Sequence, residues 1–399
     1  MAPGKGREGE LGVIKNAAVE VDGGKIIDVI ARPLPAGRQA KGTKQSPARK
    51  CVHGIASSST FGGLPRNDTQ VLNARGSVVL PGLIDCHTHL VHAGSRADEF
   101  AMRARGASYE DIAKAGGGIM STVRATRAAG EDELFERAKA RAQESLSHGV
   151  TTIEVKSGYG LDSEAELKML RVVKCLGEEF PQEFVPTFLA HMVPKDLSFL
   201  PRVKARGKLQ QESHGNILDP RFRGDDRQDY INFIIHQLLP EIAKEKLAKF
   251  CDVFVEKIAF TKAEAEEILK AAAKYGLQAK LHADQLSSNG GAVLAAKLKA
   301  VSADHLEHIS KKDMRALAKS GTIAVLIPSS TFFIGGPARQ SSGACPPVVW
   351  RGGRYAPARE IIGAGIDVAI STDYNPGTSP MQALMLQFPR IIIRERRRY

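Results

Sequence analysis

Apolar and polar positions along this chain fall into two regimes. Residues 11–30 alternate apolar and polar side chains around Asp22-Gly23-Gly24, the period-two pattern of a β-hairpin. From residue 78 onward the alternation gives way to continuous apolar runs at 78–86, 150–156, 184–190, 250–255, 277–283, 299–304, 322–328 and 367–372. Runs of that length read as strands buried on both faces, and such strands belong in parallel sheets covered by helices. Helix signals fill the intervals. Residues 131–148 have helical periodicity and stop at Gly149. Ser163-Glu164-Ala165-Glu166 reads as a capping box opening a second helix. Thr261 caps a third, which runs to Tyr275 and stops at Gly276, and residues 311–319 give another. Eight strands alternating with helices predict an α/β fold, most simply a closed (β/α)8 TIM-like barrel.

Three segments break the pattern. Residues 32–69 are rich in Pro, Gly, Ser and basic side chains and have no period, so they read as an insert in an N-terminal region, 1–79. Residues 201–229 are polar and aperiodic, an insert within a barrel spanning 80–380. Residues 381–399 form a short basic tail ending Arg396-Arg397-Arg398-Tyr399. These segments carry net charges of +6, +2 and +4, which together make up the whole +12 of the chain. The basicity therefore lies in the additions. None of them interleaves aromatics with its charges as a base-stacking surface does, which argues against a nucleic-acid partner.

The chain has 399 residues, 43% of them hydrophobic, enough for a sizeable core. Five scattered cysteines with no Cys-x-x-Cys pair argue against a disulfide framework and for a reducing, cytoplasmic setting. The N-terminus lacks an apolar signal core, and no run is long enough to span a membrane.

Candidate chemistry sits where a barrel would place it, at the C-terminal ends of strands. Asp85-Cys86-His87-Thr88-His89 closes the first run. Side chains two apart on a strand share a face, so His87 and His89 can reach one metal ion together. The fifth run ends in His282, the sixth in Asp304-His305 and the eighth in Asp373. A lone histidine near a strand end is more often structural; a set of such groups in barrel order points to a metal site. His87, His89, His282 and Asp373 supply the ligands of a hydrolytic centre. His305 is then free to act as base or to polarise a carbonyl, and Asp373 to receive the proton of the attacking water. Asp304 is read as lying on the opposite strand face, making structural hydrogen bonds. The fourth run ends in Val255-Glu256, without a lysine to bridge two metals, so one ion is favoured.

Loops after the strands suggest a small, polar, anionic ligand. Arg96 can bind a carboxylate bidentately. Ser157-Gly158-Tyr159-Gly160, His191 and Asp373-Tyr374-Asn375-Pro376-Gly377-Thr378 offer hydroxyls, an imidazole, an amide and a backbone N–H. Gly116-Gly117-Gly118 is too irregular for a phosphate loop and reads as a hinge in a lid.

These blocks resemble the amidohydrolase superfamily and, in their longer stretches, the imidazolonepropionase family. The stretches are Pro81–His89, Gly116–Val123, Glu154–Leu161, Ser302–Glu307 and Thr372–Gly377. The resemblance implies ring-opening hydrolysis of 4-imidazolone-5-propanoate to N-formimino-L-glutamate in histidine degradation. It implies one Zn or Fe ion on His87, His89, His282 and Asp373. It assigns Arg96, Tyr159, His191, Gln285, Asn375, Gly377 and Thr378 to substrate or product, and assistance at the ring carbonyl to His305. It also implies a small β-sandwich formed by the N-terminal segment with a C-terminal part that is absent here, and it allows a homodimer. Two other readings stay open: another one-metal amidohydrolase such as a heterocycle deaminase, and an inactive truncated member.

Overall fold

A computed structural model describes residues 18–22, 25–30, 80–107, 111–112, 115–194, 197, 226–334, 337–338, 349–350 and 354–387. The chain divides into two compact units, 1–82 and 83–399. In the first, β1 (Ala18–Asp22) and β2 (Lys25–Ile30) pair antiparallel, Asp22 opposite Lys25, as the period-two pattern predicts. The rest of the expected β-sandwich and the insert 32–69 lie outside the described residues.

The second unit is the barrel. Its strands are β3 (Leu83–Thr88), β4 (Val150–Lys156), β5 (Glu183–Ala190), β6 (Phe250–Val255), β7 (Gln278–Ala283), β8 (Ser302–His305), β9 (Ile323–Leu326) and, after a short pair β10 (Pro337–Ala338) and β11 (Val349–Trp350), β12 (Val368–Ile370). The eight barrel strands pair parallel in chain order from β3 to β9 and then β12. Closure of the circle falls just past the strand ends. There Asp373 N–H donates to His87 O at 3.0 Å and His89 N–H to Tyr374 O at 2.8 Å. Asp85 reinforces the seam: its carboxylate accepts from the Ser371 hydroxyl, from Thr372 N–H at 3.1 Å and from Thr372 Oγ1 at 2.6 Å.

Each predicted strand exists, with shifted ends. The first runs on to Thr88 rather than stopping at Cys86, so His87 lies within the strand and only His89 beyond it. Helices 131–147 and 262–274 follow the sequence signals, the second with a reciprocal capping box between Thr261 and Glu264. The box proposed at Ser163 takes a different form. Asp162 is the cap, accepting from Ala165 N–H at 2.8 Å, and Glu166 turns away to the loop before it. The insert 201–229 is shorter than its composition suggests, because a helix starts at Asp226 and runs to Phe233 before a π turn, Ile234–Leu238. Residues 201–225 lie outside the described residues. The tail also starts later than residue 381. Gln387 is buried and accepts from Ser329 N–H at 3.0 Å, and Gln382 donates to Glu144, so these side chains hold the segment to the barrel wall.

Between strands and helices lies the apolar core, with Leu170, Phe188, Ile231, Ile234, Leu269, Leu281 and Leu317 almost wholly buried. A smaller group around Leu134, Val155, Met169 and Leu176 packs beside the first strands.

Candidate metal centre and active site

Strand alternation delivers the site. Asp85 and His87 on β3, Glu154 and Lys156 on β4, Lys280 and His282 on β7, and Ser302 and Asp304 on β8 are each two apart, and all are buried. At the C-terminal end the imidazoles meet: His282 lies 4.5 Å from His87, 5.1 Å from His305 and 5.8 Å from His89, ring centre to ring centre. Asp373, with φ +50° just past β12, brings Oδ1 to 3.3 Å from His89 Nε2 and 3.5 Å from His87 Nε2. Possible ligand atoms of His87, His89 and His282 lie within 4.8 Å of one another, as do those of His87, His305 and Asp373.

The donor set fits a divalent ion. His87 Nε2 and Asp373 Oδ1 are buried, face each other, and complete no hydrogen bond among the described residues. Buried polar atoms seldom go unpaired unless something else satisfies them. Imidazole nitrogens and one carboxylate are the ligands of hydrolytic Zn or Fe centres. Burial raises the Asp373 carboxyl, but His87 and His89 outweigh it and hold it well below the usual carboxylate range. Burial likewise pushes His282 well below its ordinary value, so its nitrogen is free to ligate.

A layer of charge underlies these ligands. Asp304 Oδ2 accepts from His87 Nδ1 at 2.6 Å, and Asp252 Oδ2 sits 3.0 Å from His282 Nδ1. Asp304 and His305 do not take opposite sides as strict alternation requires. His305 has φ +80°, which breaks the strand period and turns its ring toward His282 while Asp304 stays in the lumen.

Around the mouth, Tyr159 is presented by a loop fixed from below. Glu166 accepts from Gly158, Gly160 and Leu161 N–H at 2.7 to 2.8 Å. Gly158 has φ +100° and lies so close to Leu189 that a side chain there would collide, so the turn requires glycine. Tyr159 lies 5.6 Å from His89, ring to ring, and burial raises its phenol. His191 stacks 5.8 Å from His89 and donates through Nδ1 to Gly158 O at 3.1 Å. Burial, then the neighbouring His89, pushes its imidazole down to about 3. Arg96 forms two bonds to Glu99 Oε2, at 2.8 and 2.9 Å, and its Nη1 abuts Gly377. Asn375 spends its amide within its own loop, donating to Asp373 O and accepting from Gly377 N–H, Thr378 N–H and Thr378 Oγ1. It shapes the loop that carries Gly377 and Thr378. Gln285 is half-buried just beyond β7. The Gly116-Gly117-Gly118 segment is pinned: Gly118 caps helix 119–128, and its N–H donates to Glu99 Oε1 at 2.8 Å.

Sequence reasoning passed over His92, Glu99 and Glu166 at the mouth, and Lys156, Asp252 and Lys280 beneath it. His92 is buried between Tyr159 and Tyr374 and donates through Nδ1 to His89 O at 2.9 Å. The signal for the lower group was present as charged residues at period two inside apolar strand runs.

Comparisons with known proteins agree with this geometry. Residues 78–392 match the model of the amidohydrolase family. An imidazolonepropionase from Cupriavidus taiwanensis is 46% identical over 325 residues, covering 81% of this chain and 67% of its own. One from Cupriavidus necator is 46% identical over 327 residues, covering 82% and 67%. This chain thus spans about two thirds of the length of these relatives. A solved 5-methylcytosine deaminase from Klebsiella pneumoniae is alike in fold, with a TM-score of 0.57 at 12% identity over 93% of this chain and 75% of that one. No helix among the described residues is long and apolar enough to cross a membrane. On the sequence match and the strand-end imidazoles together, the chain belongs to the amidohydrolase family, and within it to the imidazolonepropionases.

Proposed function

We propose that this chain opens the ring of 4-imidazolone-5-propanoate by hydrolysis, giving N-formimino-L-glutamate in the degradation of histidine. The observation that carries the reading is the convergence of His87, His89 and His282 beside Asp373, with His87 Nε2 and Asp373 Oδ1 buried and unpartnered among the described residues, in a chain 46% identical to imidazolonepropionases. These four residues would hold one divalent ion, Zn or Fe, which when bound supplies Lewis acidity and a more acidic water.

The protein's own groups divide the remaining work. Asp373, ionised at neutral pH, takes the proton of the attacking water and passes it to the leaving ring nitrogen. His305, beside His87 and His282, polarises the ring carbonyl. Arg96 anchors the propanoate carboxylate. Tyr159 and His191 flank the ring, Gln285 reaches in from the end of β7, and the loop of Asn375, Gly377 and Thr378 closes on substrate or product. The substrate is small and anionic, and neither nucleic acid nor membrane takes part. A homodimer in the cytoplasm is the working form we propose; the free thiols of Cys86, Cys175 and Cys251 suit a reducing compartment.

The test is turnover of 4-imidazolone-5-propanoate by purified protein, followed by its ultraviolet absorbance, with metal measured on the same sample. Turnover with about one metal per chain is the expected result. Metal without turnover of this compound, together with ammonia release from another heterocycle, would overturn it in favour of a deaminase.

A further inference from the structure

Lys156 closes β4 with its whole side chain out of solvent. An ammonium cannot be buried alone, and here carboxylates surround it. Its Nζ donates to Asp252 Oδ2 at 2.7 Å and to Glu154 Oε1 at 2.8 Å, and lies 3.6 Å from Asp304 Oδ2. Burial pulls its pKa down, and the three carboxylates outweigh this and hold it above the usual lysine value.

Two of those carboxylate oxygens have an imidazole as a further neighbour. Asp304 Oδ2 also bonds His87 Nδ1 at 2.6 Å, and Asp252 Oδ2 lies 3.0 Å from His282 Nδ1. Each Oδ2 therefore stands between the ammonium and an imidazole. The other oxygens are tied down as well: Asp304 Oδ1 accepts from Ser302 Oγ at 2.5 Å and Asp252 Oδ1 from His282 N–H at 3.1 Å. An imidazole that donates its Nδ1 proton to a carboxylate keeps a lone pair on Nε2, and such outer partners orient metal ligands. His87 Nε2 is the buried, unpartnered atom facing Asp373.

We propose that Lys156 is a positioning residue of the metal centre, holding Asp252 and Asp304 where they fix the imidazoles of His282 and His87. The proposal rests on the reading that these imidazoles bind a divalent ion. Lys280, the other lumen cation, does not substitute for it. Its Nζ is committed to Cys86 O at 3.0 Å and Glu154 Oε1 at 3.4 Å, and stands 3.9 Å from Asp304 Oδ2. Glu154 bonds Lys156 and Thr187 but touches no imidazole, so it separates loss of the network from loss of the ligand holders.

The experiment uses cobalt(II) as probe on the full chain. Affinity is read by competition with a chelator, and coordination by visible absorption. Lys156→Met is expected to weaken cobalt binding by roughly 10- to 100-fold and to change the absorption bands. Glu154→Gln is expected to leave both unchanged. A merely structural Lys156 would lower the melting temperature and leave the cobalt spectrum of the folded protein as it was; that result overturns the proposal. Should Lys156→Met not fold, Asp252→Asn takes its place, since it keeps shape and an acceptor for His282 but loses the charge that Lys156 grips. It is expected to weaken binding in the same direction with altered bands, and wild-type affinity and spectrum would overturn the proposal. Wild-type protein that takes up no cobalt overturns the metal reading and this proposal with it.

Discussion

In the barrel lumen, Lys156, Asp252 and Asp304 are shielded from solvent as fully as Ile231, Ile234 and Leu281 are in the layer between strands and helices. The second region is an ordinary core of branched side chains, which removes apolar surface from water. Barrel lumens are commonly filled the same way, with layers of Val, Ile and Leu. Here ionisable groups, among them Glu154, Lys156, Asp252, Lys280 and Asp304, occupy that place. Replacing buried ion pairs with well-packed apolar residues is often neutral or stabilising, so stability does not explain them. Their contacts do. Two of the charges, Asp252 and Asp304, reach the imidazoles of His282 and His87 and are themselves gripped by Lys156, whereas the aliphatic layer packs between strands and helices. Burial in one region holds the molecule together, and in the other it aims side chains.

The sharpest way to break this comparison is His282→Ala. The variant removes one of the converging nitrogens and leaves the aliphatic layer untouched, so the fold should persist while bound metal and turnover are lost. Elemental analysis and the ultraviolet assay on one sample, with circular dichroism as control, decide it. Stoichiometric metal and normal turnover in the variant would mean that the imidazole cluster is not the site.

Next in size is Ile234→Ala, in the layer outside the strands. A wholly buried aliphatic side chain is removed, and the expected cost is about 2–5 kcal/mol by urea denaturation. Cobalt affinity of the folded protein should not move. Lys156→Met in the lumen should destabilise by a similar amount, roughly 3–5 kcal/mol, because carboxylates lose their partner. Equal losses of stability with unequal losses of metal affinity would establish the division between the regions; parallel losses in both would erase it.

How far the two regions were legible in the sequence follows from what each encodes. Strand runs announce themselves by length and apolarity, and all eight barrel strands lie where the runs predict. Helix 262–274 was legible because Thr261 and Glu264 are local partners. The capping box at Ser163 failed because Glu166 has a stronger claim on it, three backbone N–H groups of the Tyr159 loop that precede it in the chain. His87, His89, His282, His305 and Asp373 could be picked out because strand ends are where barrels place chemistry. Their supports could not, since a charged residue within a strand does not show which neighbour will meet it. Asp252 meets Lys156 across 96 positions of sequence, and Asp304 meets His87 across 217. Even the period-two rule fails at His305, whose left-handed backbone no pattern of residue types displays.

A smaller effect is expected at the mouth, from Gly377→Ala. The added carbon would stand 1.9 Å from Arg96 Nη1, and the guanidinium, already held by Glu99, must move. Because the far end of a long side chain gives way more easily than backbone, stability should hardly change. KM should rise by about 10-fold with a lesser change in kcat, as befits a group that binds rather than reacts. Steady-state kinetics separate the two. A fall in kcat alone would place Arg96 in the reaction and not in anchoring.

The smallest effect tests whether local helix chemistry is independent of both regions. Asp162 accepts from Ala165 N–H at 2.8 Å and also lies 2.7 Å from Arg127 Nε, so it caps helix 163–179 and ties it to helix 119–128. Asp162→Ala removes the cap, which is worth about 1 kcal/mol, plus a half-buried ion pair that adds about as much or less. Helix 163–179 packs Leu167 and Leu170 into the aliphatic layer and carries Glu166 at its start. If the layer alone feels the change, the melting temperature drops slightly, and cobalt spectrum and KM stay as they were. A raised KM would show that fraying of the first turn reaches Glu166 and, through it, Tyr159. The presentation of the substrate loop would then depend on a helix cap as well as on the lumen charges.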